Sequence, residues 1–151
     1  EVALPVSDVP MKPEWTSFAA VVVRRAVIEK IGRMDEGYFM YFEDVDYCRR
    51  AREAGWEILH FPTARMVHLR GGTSDVKKAT KARKRRPTYF YAARTRYFAK
   101  YYGGRLGILK ANLAWTKGRS IAFFRELIGS KQPHTCAHEE RDIWTNWKSA
   151  P

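Results

Sequence analysis

With 151 residues and a formal charge of +12, the chain has the size of one domain and a strong cationic bias. Its hydrophobic residues, 45% of the total, suffice for a core, but no run of about 18 apolar residues occurs, which excludes a membrane-spanning helix in this sequence. Two cysteines, Cys48 and Cys136, exclude a disulfide framework and make a reducing, cytoplasmic setting the expectation. The charge is uneven: Val76 to Arg125 holds fifteen Lys and Arg and no acid, which calls for an anionic partner or surface. Glu1 is neither an initiator Met nor the start of a signal sequence, so a longer parent protein is expected.

Glu1 to Glu14, with Pro5, Pro10 and Pro13, is expected to be an extended approach. Phe18 to Val23 is a continuous apolar run ending in three valines, short enough for a buried strand. Arg24 to Ile31 predicts a short helix with Ala26, Val27 and Ile31 inward and Gly32 past its end. Met34 to Phe42 is an aromatic-rich loop. A helix from about Asp44 to Ala54 follows, with Val45, Cys48 and Ala51 on one face and Gly55 as its stop. Trp56 to Phe61 and Ala64 to His68 predict two further strands, the first ended by Pro62 and the second by the loop Gly71-Gly72-Thr73-Ser74. Thr88 to Tyr102 repeats aromatics at helical spacing as far as Gly103-Gly104. Leu106 to Ile128 predicts a second long helix with Leu109, Leu113, Phe124, Leu127 and Ile128 on one broad apolar face. In the tail, Trp144 and Trp147 at i, i+3 are read as an anchor onto the domain.

The densest chemical signal is Phe39-Met-Tyr-Phe-Glu-Asp-Val-Asp-Tyr-Cys48, where Glu43, Asp44 and Asp46 gather at a helix start. Acids there can simply cap free N–H groups and suit the helix dipole. They can also place a carboxylate on a rigid support under an aromatic rim, as a general base.

Six segments, taken in order, resemble the inverting family-2 glycosyltransferases, particularly their rhamnosyltransferase-like branch. Trp15-Thr-Ser-Phe-Ala-Ala-Val-Val-Val-Arg-Arg25 resembles that family's W-x-S-G-A-x-x-L-V-R-R segment. Ile31-Gly32 with Asp35-Glu36 resembles V-G-G-F-D-E, and Phe39 to Asp46 resembles F-F-M-Y-F-E-D-V-D. Ala51 to Trp56 is similar to R-x-A-G-W. Pro62 to Ser74 is similar to P-x-A-x-V-x-H-x-x-G-x-S, and Tyr89 to Tyr97 to the Y-Y-x-x-R-N-R helix. The resemblance runs from about Trp15 to Tyr102.

It implies an α/β class: the C-terminal, acceptor-side part of a GT-A glycosyltransferase fold with appended amphipathic helices. Residues 1–75 would be the acceptor and catalytic half, 76–130 a basic amphipathic helical region, and 131–151 a tail. It implies transfer of a sugar, rhamnose or another hexose, from a nucleotide-diphosphate donor to a polysaccharide or lipid-linked acceptor hydroxyl. Asp44 would be the base and Glu43 its support. His68 would contribute to a divalent cation, Mg2+ or Mn2+, expected to be missing from the isolated fragment. Trp15, Ser17, Tyr41, Asp46, Gly71 and Gly72 would bind substrate, the glycines as part of a lid. Asp44-Val-Asp46 is rejected as the family's Asp-x-Asp metal motif, because it opens a helix instead of ending a strand. The donor-binding half lies outside this sequence, so the fragment alone is expected to be inactive and to self-associate through uncovered apolar surface. Phe18 and Thr95 depart from the family's Gly and Asn.

Two weaker features stand beside this. Lys77 to Arg86 is a basic run that would suit nucleic acid, an anionic membrane, or plain solvent. The resemblance favours the membrane, at the inner face of the plasma membrane, because lipid-linked acceptors are common in the family. His134-Thr-Cys-Ala-His138 has the spacing of a weak metal motif. The rival reading of the whole chain is a non-catalytic basic module that binds anionic membrane or nucleic acid.

Overall fold

The computed structural model describes residues 8–67, 75–130 and 135–148. Six helices follow one another: α1 (Arg25–Ile31), α2 (Glu43–Glu53), α3 (Val76–Lys81), α4 (Thr88–Tyr101), α5 (Gly104–Leu127) and α6 (Glu139–Asp142). They fall into two units, residues 1–36 with 43–70, and residues 37–42 with 71–151. Among the described residues no helix is long and apolar enough to cross a membrane.

In the first unit α1 and α2 pack around Val27, Tyr47 and Ala51, with Phe18, Val23, Ile31 and Trp56 at the margin. The helix ends are closed by named groups. Gly55 (φ 89°) supplies the left-handed turn after α2; its N–H bonds Arg52 O at 2.9 Å and the Trp56 N–H bonds Ala51 O at 2.9 Å. The Ala51-to-Trp56 segment is thus a helix cap whose aromatic residue folds back onto the core. At the end of α1, Arg50 donates from Nη1 to Ile31 O at 2.7 Å and from Nη2 to Arg33 O at 2.9 Å. Those carbonyls would otherwise lack a partner within the helix.

The expected strands do not form among the described residues. Phe18 to Val23 is turn and coil, with Val22 97% exposed, and Ala64 to Val67 is irregular and exposed. Trp56 to Phe61 contributes one antiparallel bridge, Met11 to His60, with N–H···O distances of 3.2 and 2.8 Å. An extended segment becomes a strand only when a neighbour takes its backbone groups, and these runs find no such neighbour here. The α/β architecture is therefore not what the described residues adopt. The N-terminal stretch, expected as an extended approach, is tied down where it is described: Met11 makes that bridge, and Lys12 pairs with Glu57 at 2.8 Å.

The second unit is built on a helical hairpin. Gly103 (φ 86°) and Gly104 (φ 60°) turn the chain between α4 and α5 through conformations that side chains resist. Gly107 then lets α5 pass tightly, since a methyl there would overlap the Tyr102 carbonyl. Ala99, Ile108, Phe98 and Trp147 form the apolar centre, and Trp144 meets Trp147 edge-on at 5.5 Å. The tail is thus anchored through Trp147, as its spacing suggested.

The face α5 turns inward is not the expected one. Asn112 is fully buried, and Arg119 and Glu126 are engaged with the tail, whereas Leu113, Phe124, Leu127 and Ile128 are 57–68% exposed. The arginines of the basic run are likewise engaged, while Lys77, Lys81 and Lys84 stay exposed. Arg85 grips Asp142 through two bonds of 2.9 and 2.7 Å, Arg86 pairs with Glu139, and Arg83 reaches Thr135 and Glu126. Arg119 lies 3.4 Å from Glu139 and 3.2 Å from Glu140. Arginines from two stretches of chain thus meet the acids of the tail, and the cationic run becomes the clamp that holds residues 135–147.

Candidate functional site

Helix α2 opens with Glu43, Asp44 and Asp46, all within its first turn. There the helix N–H groups are unpaired and the dipole favours negative charge. The three carboxylates nevertheless take different roles. Asp46 is fully buried and accepts from Arg50 Nε at 2.9 Å. It orients the guanidinium that closes α1, so in this unit its visible work is structural. Asp44 accepts the Val45 N–H on Oδ1 at 2.8 Å, which fixes its carboxylate at the helix start while its residue stays half-exposed. Glu43 has Oε2 buried with no hydrogen-bond partner among the described residues. Burial pushes the Glu43 carboxyl above its ordinary value, its own backbone N–H opposes this, and the Asp44 charge adds to it. The Glu43 carboxyl is thereby held toward its neutral form beside a second carboxylate.

Trp15 is half-buried and Ser17 exposed, its Oγ accepting the Ala19 N–H at 3.4 Å. Phe18, where the family pattern has glycine, meets Tyr47 edge-on at 5.6 Å and belongs to the margin of the unit's core. Cys48 is buried, and its thiol donates to Thr16 O at 3.8 Å.

Tyr41 belongs to the second unit. It and Phe42 both sit in the left-handed region, at φ 72° and 67°, a conformation that costs a non-glycine residue about 1 to 2 kcal/mol. Aromatic packing holds them there: Tyr41 stacks on Tyr89 and meets Phe90, while Phe42 meets Phe90 and Tyr97. Phe39 adds a further edge contact to Tyr89. The aromatics of α4 thus receive the aromatic loop that precedes the acids in the chain.

The Arg-Thr-Arg segment of α4 separates its two cations. Arg94 is buried between the Phe98 and Trp115 rings and donates to Asn112 Oδ1, and burial lowers its pKa to about 10. Arg96 stays exposed over Tyr38. Thr95 replaces the family's Asn and donates to Thr145 O at 2.8 Å, which ties the tail to α4. Asn112 has no place in the sequence reading. A lone asparagine on an otherwise apolar helix was the available signal.

His68, Gly71 and Gly72 lie outside the described residues, as does His134 of the weak metal motif. Among the described residues no three His, Cys, Asp or Glu side chains gather to hold a metal ion, so they offer no cation site of their own.

The family model described as "Glycosyltransferase like family 2" matches residues 15–103, which contain α1 to α4. An N-acetylglucosaminyl-diphospho-decaprenol L-rhamnosyltransferase of Mycobacterium tuberculosis is 31% identical over 115 residues, covering 76% of this chain and 34% of the relative. The rhamnosyltransferase WbbL of Escherichia coli is 33% identical over 55 residues, 36% of this chain and 21% of the relative. The low-salt glycan biosynthesis hexosyltransferase Agl10 of Haloferax volcanii is 30% identical over 67 residues, 44% of this chain and 22% of the relative. The chain spans about a third of the length of the mycobacterial relative, and no solved structure matches it. The matched span takes in both the carboxylate pair and the aromatic loop before it, and with it the chain belongs to glycosyltransferase family 2.

Proposed function

We propose that the chain is the acceptor-side part of an inverting glycosyltransferase in which Asp44 is the general base. The supporting observation is the carboxylate pair at the start of α2, within the family-matched span. Asp44, half-exposed and steadied by the Val45 N–H, accepts the proton of an acceptor hydroxyl. The hydroxyl oxygen attacks the anomeric carbon as the bond to the nucleoside diphosphate breaks, which inverts that centre. Glu43, whose carboxyl is pushed up by burial, stands next to the base in the chain as its support.

The donor in this reading is a nucleoside diphosphate sugar carrying rhamnose or another hexose. The acceptor is a lipid-linked or polysaccharide glycan; the name of the mycobacterial relative gives the lipid-linked kind, an N-acetylglucosaminyl-diphospho-decaprenol. In the whole protein the runs Phe18 to Val23 and Trp56 to Phe61, exposed here at Ala19 to Val22 and Leu59 to Phe61, join a GT-A sheet, which restores the α/β class. The rival reading, a non-catalytic basic module, is weakened because Arg83, Arg85, Arg86 and Arg119 are engaged with groups inside the second unit.

The test is steady-state kinetics of the full-length protein. Asp44→Asn is expected to lower kcat by about 10²-fold or more, with the donor KM little changed. A kcat within a few-fold of wild type would remove Asp44 from the role.

A further inference from the structure

Helix α5 buries polar side chains beside Ile108 and turns an apolar face outward. Inward lie Asn112, which binds Arg94 and donates to Ile143 O at 3.0 Å; Arg119, which meets Glu139; and Glu126, which receives Thr135. Outward lie Leu106, Leu109, Leu113, Ile121, Phe124 and Leu127, each 37–68% exposed. At 100° per residue these six occupy an arc of roughly 120° along the full length of the helix. Lys110 and Lys117 fall within that arc, about 40° and 20° to one side of its centre, both exposed and without an ion-pair partner among the described residues. The first acid after Asp75 is Glu126, and it points the other way.

We propose that this outer face is an in-plane membrane contact, seated on a bilayer surface that contains anionic lipid. Charge chooses the occupant. If a second copy covered the stripe, lysines of both copies would be brought into a dry interface with no acid on either face to meet them, which is costly. Covering by another part of the protein would also have to supply two buried carboxylates. At a bilayer the same lysines extend their stems along the apolar stripe and set their ammonium groups among lipid phosphates, while the leucines and Phe124 enter the acyl boundary. The length and exposure of α5 suit lying in the surface, since no helix among the described residues can cross it. The proposal moves the contact from the basic run, whose arginines are engaged internally, to the helix face. It does not depend on which residue is the catalytic base.

The experiment is flotation of the full-length protein with vesicles of phosphatidylcholine alone and of phosphatidylcholine mixed with phosphatidylglycerol, over a salt series. Wild type is expected to float with the mixed vesicles, to ignore the neutral ones, and to dissociate as salt rises. The double substitution Leu113→Glu with Phe124→Glu is expected to weaken binding at least tenfold at an unchanged thermal midpoint. Lys110→Gln and Lys117→Gln are expected to weaken it roughly fivefold each. Vesicle binding by the Glu double variant that equals wild type would overturn the proposal, as would failure of wild type to bind. A large fall in the thermal midpoint of that variant would show the face covered by the protein itself. Loss of a wild-type dimer in sedimentation, with no vesicle binding, would assign the face to a second copy, and tight duplex or single-stranded nucleic acid binding without vesicle binding would assign it there. Each of these three results rejects the bilayer.

Discussion

Around Val27, Tyr47 and Ala51 the chain hides apolar side chains and leaves most of its ion pairs in water, such as Arg25 with Glu29 and Arg49 with Glu53. Around Arg94, Asn112, Glu139 and Asp142 it hides charges and amides and turns leucines and phenylalanines outward. The first unit is held mainly by burial and helix caps, with Arg50 on buried Asp46 as a deep polar tie. The second is held by directed bonds between segments far apart in the chain. Non-directional burial tolerates a shifted neighbour, whereas a buried ion pair fixes one register and is expensive when one member is lost. The second unit is therefore the more brittle of the two, and single substitutions can measure the difference.

The largest effect is expected at Glu139. Its buried carboxylate serves Arg86 and Arg119, and Glu139→Ala leaves both guanidinium groups beside a hole. A loss of about 3 to 5 kcal/mol in urea unfolding is expected, against under about 1 kcal/mol for Glu140→Ala at the exposed neighbouring acid. Equal effects at the two positions would break the contrast between the units.

A smaller loss is expected at Arg50. Arg50→Gln removes the closure of α1 and leaves Asp46 buried without its cation. About 2 to 3 kcal/mol is expected, read by hydrogen exchange as opening of α1 and α2 while α4 and α5 stay protected. Uniform loss of protection across both units would show that they unfold as one.

The smallest effect, and the one with a pH signature, belongs to Glu43. Its pKa is raised in the folded chain, so the folded state holds that proton more tightly than the unfolded state does. This favours folding at acid pH and is lost as pH rises through the raised value. Glu43→Gln cannot ionise. It should match wild type in stability below the ordinary glutamate range and exceed it increasingly above, in thermal melts across pH. A difference that does not vary with pH would remove burial of the charge as the cause.

Much of the helical frame was legible because its signals are local. Gly32 and Gly55 announce their caps, and the aromatic spacing of Thr88 to Tyr102 gave α4 nearly to its ends. What lay beyond reach was partnership. Periodicity marked a stripe on α5 but not which side meets the protein, since that depends on Arg94, Glu139 and Thr135 at other places in the chain. The run of valines near residue 22 has strand chemistry but no neighbour to bond among the described residues. In the candidate site, Glu43 and Asp44 stood out as surplus acids at a helix start. The separate employment of Asp46 was written in the i, i+4 spacing to Arg50 and was passed over. The short helices α3 and α6 were hidden for a similar reason. One lies inside a cationic run and the other inside a tail without periodicity, and they are fixed by each other's neighbours.

The clamp of the second unit also sets an order of events during synthesis. Arg83, Arg85, Arg86, Arg94 and the whole of α5 are made before Glu139 and Asp142. Helices α4 and α5 can form at once from local contacts, but the polar side of the hairpin stays open to water until the acids arrive. Arg85 and Asp142 close a loop of more than fifty residues when they meet. The tail therefore acts as the last stitch, and the hairpin waits as a half-finished pocket with its cations uncovered until that stitch is drawn.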